Sequence, residues 1–147
     1  MAHSFLLEAG YWTLDGHWLE RDQSPIVVKG RTLISWRDDW FTMVTKLTFP
    51  QQDKPDMALQ YRGHIDEDVR LYTFVLMHSL LGRVEGEGWL GPHSIVQRYW
   101  VLGDNQRRNG VETLYLLDAN TYRISNATMT GHHLTNAMEA TLSRQAT

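Results

Sequence analysis

Residues 83–117 read RVEGEGWLGPHSIVQRYWVLGDNQRRNGVETLYLL. Three runs rich in β-branched and aromatic residues, Arg83–Leu90, Ser94–Leu102 and Val111–Leu117, are parted by Gly91-Pro92-His93 and by a stretch opening on Gly103-Asp104-Asn105. Glycine, Asn and Asp accept the left-handed turn conformations that reverse a chain. Links this short force neighbouring strands to run antiparallel. The rhythm continues outward. Toward the N-terminus it predicts strands over Gly10–Glu20, Ile26–Trp36, Trp40–Phe49, Met57–His64 and Val69–His78, and toward the C-terminus over Tyr122–Met129 and Leu134–Arg144. The run Tyr72–Leu81 is continuously apolar, so periodicity alone does not separate strand from helix there. Ser4–Glu8 reads as one helical turn with Ser4 as its cap. About ten strands in up-and-down order leave two raw edges unless the sheet closes, so the expected fold is all-β: an antiparallel up-and-down barrel of about ten strands.

Composition narrows the function classes. A chain of 147 residues favours one domain spanning 1–147. It buries enough surface to hold a core without disulfides or metal. With no cysteine, thiol catalysis and Cys-based zinc sites are excluded, and a reducing, cytoplasmic setting is expected. The net charge is −3 and the basic residues are scattered, which argues against a nucleic-acid partner. No stretch reaches the ~18 apolar residues of a membrane helix. The opening MAHSFLLE lacks a basic n-region and a full hydrophobic segment, so no signal peptide is expected. Asn126-Ala127-Thr128 matches a glycosylation sequon and is read as chance.

Gly10-Tyr11-Trp12 resembles the Gly-x-Trp motif that opens the first strand of lipocalins and their calycin relatives. The resemblance implies that Trp12 closes one end of a barrel and stacks under a basic residue near the end of the last strand, where Arg144 stands; a guanidinium on an indole face is a cation–π pair. The closing segment Leu134–Arg144 is similar to the last strand of nitrobindin-type haem barrels. That likeness implies a tetrapyrrole or fatty-acid-like ligand, and for haem an axial histidine at a position occupied here by Ala137, leaving only His132 or His133 as substitutes.

Ligand-handling residues are sought where polar side chains alternate with apolar ones along paired strands. Gln97, Tyr99 and Val101 share one face of their strand; Arg98, Trp100 and Leu102 share the other. Glu85 and Glu87 share a face with Trp89. A buried Arg98 beside Glu112 or Glu85 would hold a carboxylate or polar headgroup; the alternative is a cross-strand surface ion pair worth under ~1 kcal/mol. Glu85 and Glu87, if inward, would raise one another's pKa and supply a general acid; outward is the commoner arrangement. The seven histidines show no metal-binding spacing, and the adjacent His132 and His133 would point to opposite faces. Glycines at 86, 88 and 91 suggest a bulge or a barrel corner rather than a phosphate loop. On the last strand, hydrophobicity turns Leu134, Met138, Ala140 and Leu142 inward, with Asn136 the exception, whereas the nitrobindin-like alignment turns Ala137 inward and would leave an apolar outer stripe suited to a homodimer.

These observations make a small-molecule binding protein the first expectation, its barrel interior presenting Arg98, Gln97, Glu112 and Tyr115, with Glu85, Trp100 and His133 as further ligand-binding candidates. No metal site is expected. The alternatives are an isomerase, cyclase or chromophore-handling enzyme using luminal Glu or His residues, and a structural or assembly protein with a filled barrel.

Overall fold

A strand's side chains alternate between its two faces, so a closed sheet sorts one set into a shared interior. The computed structural model describes residues 2–146 and shows this sorting throughout. The strands are β1 Gly10–Glu20, β2 Ile26–Arg37, β3 Trp40–Thr48, β4 Met57–Asp66, β5 Leu71–His78, β6 Gly82–Leu90, β7 Ser94–Val101, β8 Arg108–Asp118, β9 Thr121–Thr130 and β10 His133–Gln145. Each pairs antiparallel with its sequence neighbours, and β10 closes the barrel on β1. The ambiguous run after Leu71 is β5. Its Tyr72, Phe74, Leu76 and His78 are buried and the residues between them exposed, a period of two that no helix would produce.

Inward positions carry the core. Trp12, Leu14, Val28, Ile34, Phe41, Leu114 and Leu142 are all at least nine-tenths buried. Each such side chain contributes about 1.5–3 kcal/mol relative to exposure. One end of the barrel is sealed by the N-terminal segment. It forms a turn over Phe5–Leu7, with Leu6 in the left-handed region at φ 73°, and no helix occurs among the described residues. The helical turn read from Ser4–Glu8 is therefore corrected. Ser4 caps nothing; its hydroxyl donates to the Ala119 carbonyl at 2.6 Å. Phe5, Trp12 and Tyr122 pack with ring centroids 5.3–5.8 Å apart beneath it. Trp12 and Arg144 are register partners on β1 and β10, and the guanidinium lies 5.9 Å from the indole centroid.

Strand glycines seat aromatic rings rather than marking bulges. Tyr72 lies directly opposite Gly88, and Tyr99 opposite Gly110. A Cβ at either glycine would overlap the facing ring. Phe41 over Gly63 and Phe74 over Gly86 repeat the pairing. The register shifts fall elsewhere, in β10 between Leu134 and Asn136 and in β8 between Leu116 and Asp118. Past the first of these, Met138, Ala140 and Leu142 turn inward, while Leu134 is half exposed. Hydrophobic burial thus decides the face of β10. Ala137 is aligned across the sheet with Ala127 and Leu19 on the outer wall, so the alignment that turned it inward is corrected.

Candidate functional site

The interior narrows to a cavity of about 80 Å³. Leu and Met side chains, among them Met43, Met57 and Met138, form much of its wall. Its polar part is built by adjacent strands. Gln97 on β7 and Glu112 on β8 are register partners, and Glu112 is in turn opposite Asn126 on β9. Pairing therefore brings three polar inward side chains together on one wall.

Their hydrogen bonds run in one direction. Tyr72 Oη donates to Gln97 Oε1 at 2.7 Å, and Gln97 Nε2 donates to Glu112 Oε2 at 2.8 Å. From the other side Asn126 Nδ2 donates to Glu112 Oε1 at 3.2 Å. Because the Tyr72 hydroxyl takes the Gln97 oxygen, the amide can only offer its N–H to the carboxylate. Glu112 is enclosed by protein on all sides, and the part of its surface that remains accessible opens onto the cavity. Burial pushes its pKa up, with the Asn126 hydrogen bond opposing. Among the described residues no Lys or Arg lines the cavity.

Tyr61, Tyr72 and Tyr99 line the same cavity, and each phenol is pushed above its ordinary range, by burial first and then by the negative field of Glu112. For Tyr99 a hydrogen bond of 2.9 Å with Thr128 Oγ1 opposes that rise. Thr32 and Thr45 share a 2.7 Å hydroxyl pair on the far wall. At the end opposite the N-terminal plug, His78 accepts the backbone N–H groups of Leu80 and Leu81 on Nδ1 at 3.1 and 3.2 Å, which places its proton on Nε2. Burial, and then Arg108, lower its pKa to about 4. Phe49, on the loop after β3, covers this end beside Trp18, with ring centroids 5.5 Å apart. Lys54 of the same loop bonds Glu20 at 2.7 Å.

Of the residues singled out from sequence, Gln97 and Glu112 line the cavity. The others are corrected by alternation. Arg98 faces outward and lies 5.9 Å from the Trp100 ring, so it cannot reach Glu112, whose side chain is on the other side of the sheet. Glu85 and Trp100 face each other on the outer wall. Tyr115 is half exposed there, and His133 is exposed at the start of β10. Among the described residues no cluster of three His, Cys, Asp or Glu is placed to hold a metal.

The residues that sequence reading missed are Tyr61, Tyr72, Tyr99, Asn126 and His78. One signal was present: Gly86-Glu87-Gly88 faces Tyr72-Thr73-Phe74 in antiparallel register. Alternate glycines opposite alternate aromatics mark the inward face of both strands.

Neither a family model nor a curated protein matches the sequence. Solved structures share the barrel, among them the following two. The chain is similar to Rv2717c from M. tuberculosis, with a TM-score of 0.72 at 13% identity, covering 94% of this chain and 92% of that one. It is also similar to the S-type phycobiliprotein lyase CPES from Guillardia theta, with a TM-score of 0.64 at 11% identity, covering 95% and 89%. At these identities the likeness is one of fold alone, a closed antiparallel β-barrel.

Proposed function

We propose that the protein binds one small molecule inside the barrel and orients it on Glu112. The observation that carries this is a carboxylate beside a cavity, deep in an apolar interior, held by two neutral amides with no buried cation to balance it. Burying such a group costs several kcal/mol unless it is paired or neutralised, so a sequence selected for stability alone would not keep it. A ligand donating to Glu112 supplies the missing partner.

The cavity limits what enters. At about 80 Å³ it has room for roughly two or three waters at ~30 Å³ each, well under the ~300–1,000 Å³ of sites for drug-sized ligands. CPES is a phycobiliprotein lyase, and the sequence resemblance suggests a tetrapyrrole such as haem, or a lipid. For this chain any of these requires the lumen to widen, for which the unbranched Met43, Met57 and Met138 side chains are suited. A second reading, proton-transfer chemistry, draws on the same cavity, where Glu112 and three tyrosines with raised pKa values converge.

The test is a soluble-fragment screen followed by methyl and aromatic NMR of the intact chain, with native mass spectrometry of protein purified from its own host. Binding predicts shifts at Met43, Met138 and Tyr72 that are absent in an Glu112→Leu variant. Shifts confined to the outer wall, with no co-purifying mass, overturn it.

A further inference from the structure

We infer that the ligand class is a small organic cation, an alkylammonium of about three heavy atoms that keeps an N–H, with its charge at Glu112 and its alkyl groups against the rings of Tyr61, Tyr72 and Tyr99. This rests on the luminal-binding reading and adds charge and size to it.

Three observations lead there. The first is charge balance. Among the described residues, the Glu112 carboxylate receives hydrogen bonds only from the neutral amides of Gln97 and Asn126, and no Lys or Arg lines the cavity. A neutral donor ligand would add one hydrogen bond; a cation would also cancel the buried charge, which is the larger effect in a low-dielectric interior.

The second is the wall. Tyr61 from β4, Tyr72 from β5 and Tyr99 from β7 line one cavity with Glu112 from β8. Tyrosine rings attract ammonium groups through their negative faces, and aromatic cages use this attraction to hold methylated amines. The phenols of Tyr72 and Tyr99 are occupied by Gln97 and Thr128, which pins both rings. The glycines opposite them, Gly88 and Gly110, give the rings their room.

The third is size. About 80 Å³ is roughly half of the ~150 Å³ that holds a benzene ring, which suits a cation of about three heavy atoms such as dimethylammonium. It does not suit a long chain or a macrocycle in this conformation.

The titratable groups lining the cavity with Glu112 are the three tyrosines and His78. The raised pKa values keep the phenols neutral, and His78, lowered to about 4, is an uncharged imidazole near neutral pH, so none balances the carboxylate there. Since burial raises the Glu112 pKa, a cation should bind better as pH rises through its titration and the carboxylate forms.

The experiment is an NMR and calorimetric titration of the full chain with dimethylammonium chloride and, separately, with ethanol, a neutral donor of like size. The expected result is at least tenfold tighter binding of the cation, with shifts at the three tyrosine rings and affinity that climbs with pH. Glu112→Gln, checked for folding by its amide spectrum, should lose at least tenfold of the cation's affinity, while Arg98→Gln on the outer wall should lose none. Equal binding of the two probes, or a Glu112→Gln variant that holds the cation as tightly as the parent, overturns the assignment of charge and leaves luminal binding standing. Failure of both probes to shift any luminal signal overturns this inference and counts against the luminal reading as well.

Discussion

Gln97 and Glu112 are register partners on adjacent strands, and the Gln97 amide donates to the carboxylate at 2.8 Å. The pair makes the interior polar at one wall only, and its energetics can be measured without knowing any ligand.

Glu112→Leu removes the acceptor for the Gln97 and Asn126 amide N–H groups. Each buried donor left unpaired costs about 1–3 kcal/mol. Glu112→Gln should behave differently, because Asn126 can turn its oxygen to meet the new amide. The raised Glu112 pKa means the folded state holds the proton more tightly than the unfolded chain does. Its favourable contribution is therefore complete below the unfolded pKa and is lost as pH rises through the folded one. Relative to the parent, the Gln variant should gain stability as pH rises from 4 to 8, read by urea denaturation across that range.

His78 gives the opposite slope. Its folded pKa of about 4 lies below the ordinary 6.5, chiefly through burial. As pH falls from about 6.5 to about 4 the unfolded chain takes the proton first, so stability is lost over that window at up to about 1.4 kcal/mol per pH unit. His78→Gln should flatten this limb, and an imidazole titration by NMR should place the midpoint near the lower value.

Tyr122 ties the N-terminal plug to β9. Its hydroxyl accepts the N–H groups of Ser4 and Phe5 at 3.2 and 3.4 Å and meets His3 Nδ1 at 2.9 Å, while His3 Nε2 donates to the Gly91 carbonyl at 2.7 Å. Tyr122→Phe should cost about 1–3 kcal/mol. Amide exchange at residues 4–6 should accelerate far more than exchange in β4 or β5, because only the plug loses its anchor.

Gly88→Ala places a methyl group against the Tyr72 ring. Overpacking of this kind costs about 1–3 kcal/mol. Adding Tyr72→Leu should recover part of the loss, and a double-mutant cycle on thermal midpoints measures the coupling.

The fold was legible because its signals are local. β1 runs from Gly10 to Glu20 in both sequence and structure, and the other boundaries differ by a few residues, since turns and β-rich runs announce themselves in a single stretch of chain. The site was only partly legible. Along β7, the set Ile95, Gln97, Tyr99 and Val101 faces in and Val96, Arg98, Trp100 and Leu102 face out; along β8, Gly110, Glu112, Leu114 and Leu116 face in and Val111, Thr113, Tyr115 and Leu117 face out. The two sets on each strand are nearly equal in hydrophobicity, so neither composition nor period says which one the core receives. On β10 the balance is unequal, and there the apolar set could be read directly.

Strand positions, antiparallel order and closure were thus determined by the sequence itself, because each depends on short-range pattern; the stacking of Arg144 on Trp12 was what the resemblance of Gly10-Tyr11-Trp12 to the lipocalin motif implied, and the structure has the pair in register. Which of two similar faces turned inward on β7 and β8, that Tyr72 and Asn126 would meet across Gln97 and Glu112, and how much space remained beside them were decided by tertiary structure. Register couples every strand to its neighbours around a closed ring, and a shift of one residue would exchange the lumen for the outer wall.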